Sequence, residues 1–298
     1  MRTMRVLVTG WSSFVHGEAT AGDVLSMRRV GETLAGAGIP YETAWSPGFR
    51  PEALHLDDAD SGRYSHLVFV CGPAHGEQVR TLHERYASCR RIAVGVTVVD
   101  PADATVTGFH RVLPRDDPGT ARPDMSVSAS TGTVPVIGVV FAPGQAEYGP
   151  ARRHRSVHEA LERWLNGLDC ARLPLDTRLA GDDWRHCRTP DQLASVFARL
   201  DAVVTTRLHG LVFALRAGVP VLAVDPVAGG GKVTAQAAAL GWPALIPAEQ
   251  ALDTDVVDHW WEWCLSAAGR KHARRNEFPA ADSLASALLD ELLPGRSA

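Results

Sequence analysis

Lysine is almost missing from this chain: all but two of its 30 basic residues are arginine, the exceptions being Lys232 and Lys271. An excess of charge of either sign is missing too. Thirty Lys and Arg against 34 Asp and Glu leave a formal charge of −4, too balanced for a protein whose affinity comes from neutralising phosphate backbones, so nucleic acid is not an expected partner. The five cysteines (Cys71, Cys89, Cys170, Cys187, Cys264) include no C-x-x-C pair, which indicates neither a disulfide frame nor a thiolate zinc site. They read as small buried hydrophobes. Only a short apolar run separates Arg5 from Gly10 and Trp11, so a secretory signal is not expected. The longest apolar region, around residues 202 to 225, is broken by Arg207, His209 and Arg216, which argues against a membrane span. The expectation is a soluble, cytoplasmic protein.

What is present is a chain of 298 residues, 45% apolar, long enough for two globular domains. Met4–Thr9 is a β-branched run ending at Gly10, and residues 23–36 carry Val24, Leu25, Val30 and Leu34 at helical spacing. Further strands are expected at Ile39–Ala44, His66–Cys71 and Arg91–Val99, with a helix over 76–89. Residues 114–134 are rich in Pro, Gly, Ser and Asp without periodicity and read as a linker or mobile loop. The alternation then restarts: strand Val134–Phe141, helix 151–167, strand 170–174, a helix opening at Thr189-Pro190, strand Asp201–Thr205, helix Leu208–Ala217 and strand Pro220–Val224. This is an α/β pattern of two Rossmann-like lobes facing a cleft, 1–113 and 135–298. A terminal helix, Ala281–Leu293, places Leu284, Leu288, Leu289 and Leu292 on one stripe and is expected to pack on a neighbouring lobe.

Ligands of open α/β sheets bind beyond the carboxyl ends of the strands. Thr205-Thr206-Arg207-Leu208-His209-Gly210 lies at such an end. Thr205 and Thr206 can cap the following helix, whose free N–H groups attract anions, Arg207 offers a bidentate fork, and His209 can carry a proton near neutral pH. The structural alternative is that Arg207 pairs with a carboxylate and His209 is a satisfied core histidine. Lys232, after three glycines, would add a compact cation, although the segment is no P-loop because position 226 is Pro and position 233 is Val. The cluster Arg152-Arg153-His154-Arg155 follows the first strand of the second lobe, and Arg152 is a further anion contact or, alternatively, part of a solvated helix start. In the first lobe His16 and Asp23 lie in the first strand-to-helix connection and His75 and Glu77 follow the middle strand; Asp23 has a helix-capping role as its alternative. Asp182-Asp183-Trp184 and His186-Cys187 lack metal-ligand spacing and read as surface loop. The run His259-Trp260-Trp261-Glu262-Trp263 reads as core packing or a lobe contact rather than a sugar platform.

The stretch from Thr206-Arg207-Leu208-His209-Gly210 through Gly218-Val219-Pro220 to Lys232-Val233 and Leu240-Gly241-Trp242-Pro243 resembles the signature of the polysaccharide pyruvyl transferase family. Gly22-Asp23 matches that family's first helix opening, whereas the turn Ser12–Ala21 is longer than usual and Cys71-Gly72-Pro73-Ala74-His75 stands where a Gly-Gly pair is common. The resemblance implies a GT-B-like fold and transfer of pyruvate from phosphoenolpyruvate to sugar or glycoconjugate hydroxyls as a ketal. It implies His209 as general acid/base and Arg207 as donor clamp; Thr205, Thr206, Arg152 and Lys232 are, by their position and chemistry, the further donor contacts expected. Asp23, His16, His75 and Glu77 fall on the acceptor side. No cofactor is implied beyond the donor substrate. Two other functions fit the same lobes: a GT-B glycosyltransferase using a nucleotide sugar, and a binding protein without catalysis.

Overall fold

The computed structural model describes residues 3–275 and 283–293. The chain divides into two compact units, Met1–Gly132 and Thr133–Ala298. In the first unit the order is β1 (Val6–Gly10), α1 (Ala21–Gly36), β2 (Tyr41–Thr43), β3 (His66–Val70), α2 (Glu77–Arg85), β4 (Arg90–Thr97), α3 (Ala104–Thr107), β5 (Arg111–Asp117) and β6 (Thr120–Ala121). The strands lie in the order β2-β1-β3-β4-β5-β6, parallel except for the β5–β6 pair. β1 is buried along its whole length, as expected of an apolar run covered on both faces. α1 starts at Thr20, whose hydroxyl accepts the Asp23 N–H at 3.2 Å while donating to the Asp23 carboxylate at 2.7 Å.

The second unit runs β7 (Val136–Val140), α4 (His154–Gly167), β8 (Ala171–Pro174), α5 (Pro190–Phe197), β9 (Ala202–Thr205), α6 (Leu208–Arg216), β10 (Val221–Asp225), α7 (Lys232–Ala239), β11 (Leu245–Pro247), α8 (Thr254–Leu265), α9 (Ala267–Ala273) and α10 (Ser283–Leu292). Its strands, all parallel, are ordered β11-β10-β9-β7-β8. Both sheets therefore share one Rossmann-like winding in which the chain first builds outward from one side of a central strand and then from the other. The point of reversal, where ligands of such sheets bind, falls between β1 and β3 in the first unit and between β7 and β9 in the second. α5 opens as expected, with Thr189 as cap and Pro190 in the first turn.

Leu161, Phe197, Leu211 and Trp261 build the second core against the strands. Trp164 meets Trp261 edge-on at 5.6 Å and Trp242 meets Trp263 at 5.3 Å, so the tryptophan run of α8 is core packing. The leucine stripe of α10 is not: Leu284, Leu288, Leu289 and Leu292 are all exposed, against the expectation of a packed terminal helix. Ala281 and Asp282, expected at its start, lie outside the described residues. Among the described residues no helix is long and apolar enough to cross a membrane.

The segment 114–134, which composition marks as a linker or mobile loop, does contain the division between the units, but most of it is built into the first unit. Its first part completes β5 and forms β6, a 3₁₀ turn occupies Met125–Ser128, and the units divide after Gly132. Asp124 is the reason. Its carboxylate accepts the Ser126 N–H at 2.8 Å, the Ser26 hydroxyl at 3.1 Å and Arg115 Nη1 at 2.7 Å, fastening the segment to α1 and β5. Burial would raise its pKa, but those donors overcome it and hold the carboxyl at about 2. Asp124→Ala would leave Arg115 without this partner and is expected to destabilise the first unit by about 1–2 kcal/mol, read as a shift of the urea midpoint.

Candidate functional site

The second unit's switch point is built on two threonine hydroxyls. Thr205 Oγ1 accepts the Arg207 N–H at 3.0 Å and lies 2.9 Å from the Val140 carbonyl, tying the end of β9 to that of β7. Thr206 Oγ1 accepts the Ala142 N–H at 2.9 Å and lies 3.0 Å from His158 Nε2. Both side chains are buried. They shape the turn and do not cap α6, whose N-cap position is Arg207, which corrects the capping role expected of them. Short hydroxyl side chains bond the nearest backbone groups, and here those groups belong to the neighbouring strand. Gly210 has no room for a side chain because a Cβ would overlap the Thr205 hydroxyl. That contact lets the first turn of α6 sit directly on the strand end.

Arg207 stands at the N-cap of α6 in extended conformation. Its Nη1 donates to Asp176 Oδ1 at 2.7 Å, and Arg178 Nε donates to the other carboxylate oxygen at 2.7 Å. Burial pushes the Asp176 carboxyl up, but Arg178 and then Arg207 outweigh it and hold it below the usual range. Two guanidinium groups thus share one carboxylate, and the remaining N–H groups of Arg207 have no protein partner among the described residues. The carboxylate alternative for Arg207 is met by Asp176, while the core alternative for His209 is not. His209 is exposed, without a hydrogen-bond partner among the described residues.

Lys232 opens α7 and is exposed. The anion position at that helix is already taken by Asp225, which is fully buried and accepts the N–H groups of Val227, Gly231 and Thr234 and the Thr234 hydroxyl at 2.7–3.1 Å. The glycine loop wraps this carboxylate, with Gly229 and Gly230 at φ 77° and 88°. The loop also pairs with the segment before α4: Ala228 N donates to Ala151 O, Arg153 N donates to Pro226 O, both at 2.8 Å, and Arg152 bridges Val227. Arg152 and Lys232 are thereby brought to one place, exposed and without ion pairs among the described residues. Between them and the Arg207 turn stand two histidines unforeseen as site residues. His154 packs edge-on to His158 at 6.0 Å, and His158 stacks on Phe141 at 4.7 Å and reaches Thr206.

The first-unit candidates are given separate partners. Asp23 joins Thr20 in the opening of α1 and lies close enough to Cys71 to hydrogen-bond its thiol; that thiol is pushed up to about 11, by burial first and Asp23 next. His16 is exposed, His75 Nδ1 lies 3.0 Å from Asp103, and Glu77 borders a cavity of about 440 Å³ lined by Phe14, His55, Asp57 and Gln78. Cys71 itself, at the end of β3, has φ 62°, unusual for a residue with a Cβ. Neither Cys71, Arg115 nor Asp124 was singled out as a site residue, since the last two fall in the segment that reads as linker. In the loop 182–187, Asp183 bonds Arg185 and His186 and Trp184 is exposed. No group of three or more His, Cys, Asp or Glu side chains able to hold a metal occurs among the described residues.

Burial, and then the neighbouring His154, lowers His158 from 6.5 to about 4. The unfolded chain therefore binds the extra proton first. Stability should be complete above pH about 6.5 and decline as pH falls towards 4, by about 2 kcal/mol after allowance for partial solvent access. Urea unfolding at pH 7 and 4.5 would show the loss, and His158→Phe, which keeps the stack on Phe141, should remove most of it.

A polysaccharide pyruvyl transferase family model matches residues 172–226, from β8 through Asp176 and the Arg207 turn to the end of β10. Comparison with curated proteins gives no match. Similar solved structures include spinosyn rhamnosyltransferase SpnG, 14% identical, with 96% of this chain and 100% of that one covered at a TM-score of 0.33. Another is WaaG, a glycosyltransferase involved in lipopolysaccharide biosynthesis, 14% identical over 97% of this chain and 100% of that one at 0.34. The residues that lay out the second switch point therefore carry the polysaccharide pyruvyl transferase pattern that the sequence resembles, and the chain is a transferase.

Proposed function

We propose that the chain moves a pyruvyl group from phosphoenolpyruvate to hydroxyls of a sugar or glycoconjugate, forming a ketal. The observation that carries this reading is the pairing, at one strand end, of an unpartnered exposed histidine with an arginine whose fork is only partly committed to Asp176. Phosphoenolpyruvate is small and highly charged, so its recognition needs guanidinium and ammonium groups more than a large apolar cavity. Arg207 binds the donor's anionic groups, held in place by Asp176, while Arg152 and Lys232 supply further positive charge.

His209 acts first as acid. It gives a proton to the donor's methylene carbon, which becomes a methyl group and leaves an oxocarbenium-like centre at the adjoining carbon. An acceptor hydroxyl attacks that centre and returns a proton to His209. Phosphate departs with the cleaved C–O bond, and a second hydroxyl closes the ketal, its proton leaving with phosphate. Positive groups around the leaving oxygen stabilise the charge that develops there. The acceptor is assigned to the first unit, where the cavity beside Glu77 carries the mixed polar and aromatic lining that a sugar requires. The setting is cytoplasmic synthesis of a glycan or glycoconjugate.

Thermal shift with phosphoenolpyruvate, UDP, GDP and CMP tests the donor. Phosphoenolpyruvate at 100 times its Kd should stabilise the protein by about 2.7 kcal/mol, and Arg207→Ala should abolish the shift. His209→Ala should keep both the shift and the unliganded Tm, since the side chain has no structural partner, while turnover falls by about 100-fold or more. A shift with a nucleotide and none with phosphoenolpyruvate would overturn the reading in favour of a nucleotide-sugar glycosyltransferase.

A further inference from the structure

We propose that His154 is the buried contact of a subsite for a tetrahedral dianion at the N-terminus of α4, shared with Arg152 and Lys232, and that it gains a proton when the anion arrives. The first turn of α4 has no side-chain cap and no acidic residue. In this unit α5 is closed by Thr189, α8 by Asp253, α9 by Ser266 and the N-terminus of α7 by Asp225, whereas α6, like α4, has no side-chain cap. α4 instead begins within Arg152-Arg153-His154-Arg155, where the helix dipole disfavours cations. Arg155 is committed to Glu159 at 2.9 Å, but Arg152 is not paired among the described residues. An anion would satisfy both the open N–H groups and the unbalanced charge.

His154 supplies the independent observation. It is only 4% exposed, yet neither ring nitrogen has a hydrogen-bond partner among the described residues. A buried polar group in that state is costly, and native structures pair nearly all of them. Four charged groups face it: Arg152 and Glu147 from the segment before α4, Asp225 from the end of β10, and Lys232 from α7; His158 lies one turn along its own helix. Burial, followed by Arg152, holds the ring below its usual pKa, so it is neutral when the subsite carries no anion. A dianion against Arg152 and Lys232 reverses the sign of that local field and draws a proton onto the ring. The contact chain His154–His158–Thr206 then joins the subsite to the turn that carries Arg207.

This inference rests on the proposed function only for the identity of the natural dianion, which is the phosphoryl group of the donor or the phosphate released from it. Calorimetric titration of the full chain with sulfate separates the two questions, because sulfate does not itself titrate between pH 6 and 8. Sulfate should bind more tightly as pH falls, by up to about tenfold per pH unit, with a heat that depends on buffer ionisation. His154→Gln should bind sulfate without either signature. His154→Leu should leave the anion-free Tm unchanged or raised, because it removes an unsatisfied buried group, and should lose sulfate binding. Absence of sulfate binding by the wild type, or the same pH dependence in His154→Gln, would overturn the proposal. Tighter binding of phosphoenolpyruvate than of inorganic phosphate, with the same His154 dependence, identifies the donor ester as occupant; the opposite order identifies the released phosphate. His154-dependent binding of sulfate and phosphate without phosphoenolpyruvate binding keeps the subsite and removes the pyruvyl donor. Phosphoenolpyruvate binding indifferent to His154 does the reverse.

Discussion

The Thr205 hydroxyl is the constraint on which the second unit's site depends. It bridges the Val140 carbonyl of β7 and the Arg207 amide at the crevice where the sheet changes its direction of growth. With that bridge in place the chain leaves β9 in extended conformation and enters α6 within two residues, which puts His209 at the rim. Gly210 is part of the same constraint, since a methyl there would displace the hydroxyl and lift the helix from the strand. The pattern Thr-Arg-Leu-His-Gly is thus a packing solution, whatever chemistry its exposed side chains carry. Thr206 and Gly210 are buried in that packing, and His209 is left exposed.

Charge in this unit follows from which helix ends are already filled. Asp225 closes α7 from within, with four donors on one carboxylate, so the cation at the head of that helix is not needed to balance the fold and remains available. α4 has the opposite arrangement: no side-chain cap, arginines where acids would stabilise, and a buried imidazole whose nitrogens have no partner among the described residues. Asp176 shows a third pattern, a single carboxylate restraining two arginines so that one of them keeps donors to spare. Carboxylates and cations are distributed so that arginine and lysine side chains without acidic partners among the described residues are left where the strands end.

The strand and helix alternation was legible in the sequence because the central strands β1, β3, β9 and β10 are parallel and buried, and so appear as apolar runs between more polar helices. The Arg207–His209 turn was legible because it couples a strand end to a glycine that only close packing requires. The roles of Thr205 and Thr206 were not, since a hydroxyl that caps a helix and one that braces a neighbouring strand leave the same trace in a linear sequence. Asp124 and Arg115 were hidden for another reason: proline, glycine and aspartate mark turns, and composition does not reveal whether a turn is anchored. His154 was visible only as a member of a basic cluster. The loop that follows β10, distant in sequence, folds back on the residues just before His154, through Ala228 to Ala151 and Pro226 to Arg153.

The two units share a strand order but use its reversal point differently. In the first, the ground behind the crevice is occupied by the protein's own charges: Arg115 and Asp124 neutralise each other, Asp23 lies against the Cys71 thiol, and burial with that carboxylate keeps the thiol protonated. Such a network holds loops and leaves little net charge to attract an anion. In the second unit the corresponding region carries arginine, lysine and histidine groups incompletely matched by acid. A neutral hydroxylated acceptor is compatible with the first environment and a small polyanion with the second. The proposed placing of acceptor and donor on different units rests on this difference in how each closes its own electrostatics, on sheets whose parallel strands follow the same order.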